Sequence, residues 1–532
     1  MSSTPDVIRN RFLGFLIWQS ILSTAVFVLW KALLAPFTLN PLLPSLFGCL
    51  AFIFFCLSMS LFAISIHAVA SPQHHRPASI LELALGLMRL VFAASSRPQD
   101  GNFRRRARVS IGIVLLVSAA ALSGLLAIIS IVGGSYRGSL HELIGGMGSR
   151  GFAIGVLYGI YHVFKQRWVL VFPIIQRPAF FSFKMDVPSA IKRALKFSIA
   201  AYMFSALLMI CLPRQHKNLV AGWSYFANQF TFYTGSFVVI LCWELIQHLH
   251  KVLHTKRFMF APPKGSAAAE TNPSEPLLAA LEESPPRSLL QYLAYLDLSM
   301  VCGTNIDIWR RAAVFEETGD TYKRVIAACT RPLEQLASKL GEGLPSSIDS
   351  IYQLSNQLLS PYEIHQNSEI LESFNDFQLY AWCAQAAASL TAHSHQEDRF
   401  GVAQLSGGHA SVLSTLLSCL LAVETFMGKK TNLQSSLGPA GIKWATNSSA
   451  RREIAMAMNK RKDSPLHLKA YSLADVLKIS IYCIVSEFHD EMTSSAKLGL
   501  LEKDWLSSGK PVFGSRELLL LKLQLFLTFR AS

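Results

Sequence analysis

The chain has 532 residues, 51% of them hydrophobic and only 16% charged, with a formal net charge of +15. A charged fraction well below the roughly 25% of soluble domains excludes an ordinary soluble protein. The charge itself would suit a nucleic-acid binder, but residues 1–260 hold 24 Lys+Arg against 6 Asp+Glu, whereas residues 261–532 hold 25 against 28. The basic excess thus flanks hydrophobic runs in one half, which is how membrane topology is written; a phosphate-binding surface is the weaker reading.

The N-terminal segment carries Arg9 and Arg11 ahead of a first apolar stretch that predicts a span over residues 12–34. That stretch is longer than a signal-peptide core and lacks a small-residue cleavage site, so it is expected to be retained. A second span is predicted over 45–69, after a turn carrying Pro36, Asn40, Pro41 and Pro44. The third, over 109–134, is 26 residues without a charge, preceded by Arg104, Arg105, Arg106 and Arg108. A helix needs about 20 apolar residues to cross a bilayer core, and clustered arginines at one end place that end on the cytoplasmic side. These four arginines are the expected topology determinants. Between spans two and three, Ile80–Ser96 has its own helical period, with Glu82, Gly86, Arg89 and Ser96 on one stripe. It is too charged and too short to cross, so it is expected either in the membrane interface or packed under the bundle.

The fourth span is predicted over 144–164, with Arg150 snorkelling to a surface, and Trp168–Ile175 beyond it as an interfacial or re-entrant piece. Spans five and six are predicted over 197–212 and 219–243, the last closed by Glu244. Lys and Arg concentrate in 70–108, in 165–196 and after span six, and they are sparse in the alternate loops. Six spans with both termini cytoplasmic satisfy that asymmetry. On span four, Gly151, Gly155 and Gly159 stand one turn apart, a small-residue face that lets a neighbouring helix, or a second copy of the chain, approach closely.

Residues 261–287 hold six prolines with Gly, Ser and Glu and read as a flexible linker. Residues 288–532 then give one helical pattern after another: 288–301, 305–316, 320–340 with Pro332 as a kink, 346–359, 369–393, 408–427, 450–460, 473–497 and 517–529. The segment from Gly408 is nearly charge-free, but only 14 residues separate His409 from Glu424, so it is expected to be a core helix. The fold class is therefore all-α: a six-span transmembrane bundle followed by a soluble all-helical domain.

Chemistry-bearing motifs are few. Gly146-x-Gly148-x-x-Gly151 lacks the preceding strand and the later acidic residue of a dinucleotide site. The ionisable candidates at membrane depth, His67, His162 and Glu244, do not form paired carboxylates. His393, His395, Glu397 and Asp398 cluster in a segment that reads as a solvated loop. Asn447-Ser-Ser is a glycosylation sequon, silent if the segment is cytoplasmic. The nine cysteines are scattered without a C-x-x-C pair, which points to a reducing compartment. No catalytic, cofactor or metal site is expected, and the chain is not read as an enzyme. A transporter or channel of an endomembrane is the alternative, resting on span count alone.

After the linker, Leu293-Ala-Tyr-Leu-Asp297-Leu298 and then Arg310-Arg311-Ala-Ala-Val-Phe315 precede a Cys-containing amphipathic helix beginning near Tyr322. The layout and these two elements resemble the nuclear-division-cycle family of transmembrane nucleoporins, whose patterns are L-A-x-x-D-L and R-R-x-x-[IV]-F. Tyr322 stands where the family often has Trp. The resemblance implies a scaffold that anchors the nuclear pore complex in the nuclear envelope and acts in its assembly. Its implied partners are the lipid bilayer and soluble nucleoporins, with no direct nucleic acid, and a homo-oligomer through span four is a further expectation.

Overall fold

The computed structural model describes residues 4–34, 46–73, 77, 82, 101–133, 143–211, 222–263, 265–342, 373–428 and 465–528. The chain divides into two compact units, residues 2–256 and residues 257–532. Both are helical. Among the described residues the only extended pairing is an isolated bridge between Ser71 and Val169.

The first unit contains α1 (Thr4–Leu34), α2 (Leu46–Val69), α3 (Gly101–Val132), a π turn (Leu143–Gly148) leading into α4 (Ser149–Phe164), α5 (Ala179–Cys211) and α6 (Gly222–Thr255). Long uncharged runs become helices because a helix satisfies its backbone groups within one segment, which no open sheet can do in hydrocarbon. The bundle core is aromatic and aliphatic, with Phe15, Phe55, Phe62, Tyr158, Phe232 and Trp243 fully buried. Its outside is also apolar: Ile17, Leu29, Val114, Leu115, Met203 and Leu207 are each about 60% exposed or more. Side chains of that kind facing outward on several helices call for lipid around them.

Among the described residues six helices are long and apolar enough to cross a membrane. Five belong to this unit, over Asp6–Leu33, Gly48–Val69, Arg106–Val132, Leu143–Phe164 and Gln229–Thr255. The sixth, Gly408–Phe426, lies in the second unit and has 72% of its most apolar window buried, against 22–39% for the first three. Its surroundings are those of a core helix. The expected span over 197–212 forms the C-terminal half of α5, which starts far earlier, at Ala179, and runs through Pro188.

Two further expectations are corrected. Glu244 does not close the last span, because α6 continues to Thr255 with Glu244, Gln247, His250 and His254 buried along it. Arg150 does not snorkel and is only 3% exposed. Within the predicted interfacial or re-entrant piece, Val169–Phe172 leaves the helix, with Ser71 N–H donating to Trp168 O at 3.1 Å and Leu170 N–H to Ser71 O at 2.9 Å. Trp168, Leu170 and Phe172 are buried while Val171 is exposed, so alternate side chains of this piece turn into the bundle.

The second unit comprises α7 (Ala267–Thr271), α8 (Glu275–Glu283), α9 (Leu289–Gly303), α10 (Ile308–Ala312) with a 3-10 turn to Phe315, α11 (Asp320–Glu342), α12 (Phe377–Glu397), α13 (Val402–Leu405), α14 (Gly408–Phe426), α15 (Pro465–Glu487), α16 (His489–Lys497), α17 (Leu501–Trp505) and α18 (Arg516–Thr528). On α11 the buried set Tyr322, Val325, Ile326, Cys329, Leu333, Leu336, Ala337 and Leu340 follows the helical stripe, and Pro332 sits inside the helix without ending it. On α18, where the sequence alternates, Leu519 and Leu523 are buried and Leu518, Leu521 and Leu525 exposed, which is the i, i+4 face of a helix. Composition makes 261–287 look like a linker, yet α7 and α8 form there. Leu277, Leu278 and Leu281 are buried, and Glu275 and Glu282 pair with Arg324 of α11 at 3.0 and 2.8 Å. The expected helices over 346–359 and 450–460, Asn447, and Ile80–Ser96 apart from Glu82 lie outside the described residues.

Candidate functional site

In the first unit the organising contact is between α3 and α4. A Cβ placed on Gly155 would stand 2.7 Å from Ala121 Cα and closer still to the Ala120 carbonyl. On Gly151 it would stand 2.6 Å from Gly124 O, and on Gly159 3.0 Å from Val117 Cα. The backbones touch because no side chain intervenes on α4, the close approach that small residues permit. Since this face is filled by α3 of the same chain, it leaves no surface there for the expected second copy.

Beside that seam lies a buried charge cluster that no local pattern announces. Glu244 on α6 is 1% exposed and accepts two hydrogen bonds from Arg167, one from Arg193 Nε at 2.9 Å and one from Tyr158 Oη at 3.0 Å. Gln247, one turn on, donates to Arg167 O at 2.8 Å and pairs with His162 Nε2 at 3.0 Å. Arg150 stacks on the Phe232 ring, 3.7 Å from its centroid, and donates to Ser205 and Gln229. Glu244, Arg167 and Arg193 satisfy one another's charge, as buried charges must, whereas His162 Nδ1 is buried without a hydrogen-bond partner. Arg167 and Arg193 read in sequence as loop charges; the pairing signal is spread over α4, α5 and α6, too far apart for periodicity to find.

Of the topology arginines, Arg104 and Arg108 are exposed near the start of α3, Arg106 bonds Glu82 at 2.9 Å, and the Arg105 side chain is outside the described set. Arg11 on α1 donates to the carbonyls of Leu253, His254 and Lys256 at 3.0, 3.1 and 2.7 Å, holding the C-terminal end of α6. Among the described residues, His67, His250 and His254 bring ring nitrogens together at this end of the bundle and could hold a metal ion.

In the second unit the quoted motifs form one buried constellation. Leu293 and Leu298 are core residues of α9, and Asp297 between them is 0% exposed. Asp297 accepts from Arg310 Nη2 at 2.8 Å, from Arg257 Nε at 2.7 Å and from Phe260 N–H at 3.0 Å. Arg257 also reaches Asp307 at 2.6 Å. Burial disfavours the charged guanidinium, but the two carboxylates outweigh it and raise the Arg257 pKa.

Arg311 points elsewhere. It forks onto Glu397, with Nε 2.9 Å from Oε2, and donates to the Cys302 and Thr304 carbonyls at 3.3 Å each, capping the end of α9. Phe315 stacks on Tyr322 with ring centroids 5.7 Å apart. The segment of His393, His395, Glu397 and Asp398 is therefore not a solvated loop. α12 runs to Glu397, and Asp398 accepts from the N–H groups of Val402 and Ala403 at 3.0 and 2.8 Å.

An outward-apolar helix bundle joined in one chain to an all-helical unit with its own core defines a multi-pass membrane protein carrying a helical globular module. The family model described as nucleoporin protein Ndc1-Nup matches residues 147–353 and 345–494. The chain belongs to that family. Among curated proteins, none matches the chain.

Proposed function

We propose that the protein is a structural membrane nucleoporin that anchors the nuclear pore complex in the nuclear envelope and supports its assembly. The observation that carries this reading is the family match across both units, over 147–494. In this reading the bundle of residues 2–256 holds the protein in the envelope, and residues 257–532 bind soluble pore components. Both termini and the arginine-flanked start of α3 face the cytoplasm or pore channel, as the loop charges require.

The physical form of the chain supports a scaffold. The buried carboxylate of the bundle, Glu244, is engaged by Arg167 and Arg193. The second unit has a formal balance near neutrality (25 Lys+Arg against 28 Asp+Glu from residue 261). Its partners are therefore expected on helix faces, and no nucleic acid is expected. A fluorescently tagged copy should give a punctate nuclear rim coincident with pore markers. A glycosylation reporter inserted after Lys264 should stay unmodified. A diffuse endoplasmic-reticulum pattern, or a glycosylated reporter, would contradict the reading.

A further inference from the structure

His250 and His254 stand one turn apart on α6, and His67 comes from the last turn of α2. One ring nitrogen of each lies within 4.8 Å of the other two. His250 is 0% exposed and His254 1% exposed. Among the described residues both nitrogens of His250, Nε2 of His254 and Nδ1 of His67 are buried without a hydrogen-bond partner. An unsatisfied buried polar atom is costly, so a group of them converging on one point asks for a ligand.

The hydrogen bond that does exist says which kind. His254 Nδ1 lies 2.9 Å from the His250 carbonyl, and a carbonyl only accepts, so Nδ1 carries the proton. In the neutral ring the lone pair is then on Nε2, the atom without a partner. Metal-binding histidines are oriented in this way, with the other nitrogen donating to a backbone carbonyl. The surroundings agree. The cluster sits at the C-terminal ends of two helices, the negative ends of their dipoles, which favour a cation. Arg11 is already committed to the carbonyls that end α6. Phe12 stacks on His67 at 4.3 Å and Phe15 packs edge-on to His250 at 5.1 Å, walling the rings on the α1 side.

We propose that His67, His250 and His254 form a binding site for a divalent transition-metal ion that ties α2 to α6. Imidazole nitrogen is a good ligand for zinc, copper and nickel, and hard oxygen-seeking cations are excluded by the donor set. Zinc–nitrogen bonds of about 2.0–2.1 Å put ligand nitrogens about 3.3 Å apart, so binding draws the three rings inward by side-chain rotation. Three protein ligands leave a fourth position for water or another small donor, on the side of the half-buried His67.

The test uses the full chain purified in detergent, stripped with chelator and titrated with cobalt and then zinc alone. One cobalt per chain is expected, with ligand-field bands of nitrogen and oxygen coordination, displaced by zinc. His250→Gln and His254→Gln should each weaken binding by at least about 10-fold, the smallest loss seen when only a supporting contact of a metal ligand is removed. His395→Gln, in the other unit, should leave it unchanged. No stoichiometric cobalt, a thiolate charge-transfer band that assigns the ion to buried cysteines, or binding that survives the double His250→Gln/His254→Gln substitution would each overturn the site. If the variants fail to fold, X-ray absorption of the zinc-loaded wild type decides: imidazole scattering from three rings supports the site, and its absence refutes it.

Discussion

Asp297 and Arg310, both almost completely buried, meet through a hydrogen bond of 2.8 Å between α9 and α10. The two motifs by which the sequence resembles its family are thus one object, an ion pair inside the helical unit, extended by Arg257 and Asp307. Removing one partner leaves the other charged and buried, which costs about 3–5 kcal/mol. Arg310→Met should therefore lower the unfolding midpoint of the helical unit sharply. Arg310→Lys should not restore it, because an ammonium cannot reproduce a guanidinium fork whose Nη1 and Nη2 both reach Asp297 while Nη2 also donates to the Phe260 carbonyl. Thermal unfolding followed by circular dichroism measures both, and a full rescue by lysine would show that charge alone matters at this position.

The α3–α4 seam gives a second prediction. Even Gly155→Ala places an atom against the Ala120 carbonyl, so it should destabilise the bundle by about 1–3 kcal/mol, and Gly155→Leu by more. Gly14→Ala is the matched control, because an added Cβ there meets nothing within 4 Å. Detergent-resistance assays on the two alanine variants should separate them, and equal behaviour would mean that α4 does not depend on close approach to α3.

Glu244→Gln removes the charge that Arg167 and Arg193 share while keeping the shape of the side chain. Two guanidiniums then face each other without a carboxylate, and the expected loss is about 3 kcal/mol or more. Protein recovered after mild heating in detergent should fall markedly for Glu244→Gln and much less for Glu82→Gln, whose partner Arg106 is 39% exposed.

His409 supplies a pH dependence. Its ring is packed against Phe488 and Trp505 and bonded to Ser394 Oγ at 2.9 Å, and burial lowers its pKa to about 4. The unfolded chain takes up the proton near pH 6.5 while the folded chain resists it, so between those values the unfolded state binds more protons. The contribution of His409 is therefore complete above about pH 6.5 and is lost as the pH falls towards 4. Melting curves should show a slope in that window that is reduced in His409→Gln, and an unchanged slope would assign the dependence to other groups.

The spans were legible because length and flanking charge are local properties: 26 uncharged residues after Arg104–Arg108 could hardly be anything else. What escaped was whatever depends on partners distant in sequence. Glu244 looked like a terminus because a carboxylate ends an apolar run; its guanidinium partners are 77 and 51 residues away. Arg311 and Glu397 are 86 apart, so the latter passed for a loop residue. Residues 261–287 misled through their prolines, since Pro276 occupies the first turn of α8, where a missing N–H does no harm. The histidine cluster did leave one trace, the i, i+4 pair His250-x-x-x-His254, which has the spacing of metal-binding helices.

The division of labour between the two units is tested most directly by truncation after Lys256, ahead of the Arg257 that pairs with Asp297 and Asp307. Residues 1–256, tagged and expressed in place of the full chain, should still reach the nuclear envelope but recover few soluble nucleoporins on affinity purification. The 257–532 fragment should recover them and hold them at roughly 0.3 M salt, where screening has already removed long-range electrostatic attraction. Equal recovery by residues 1–256 would contradict this, and would make the bundle itself the docking surface.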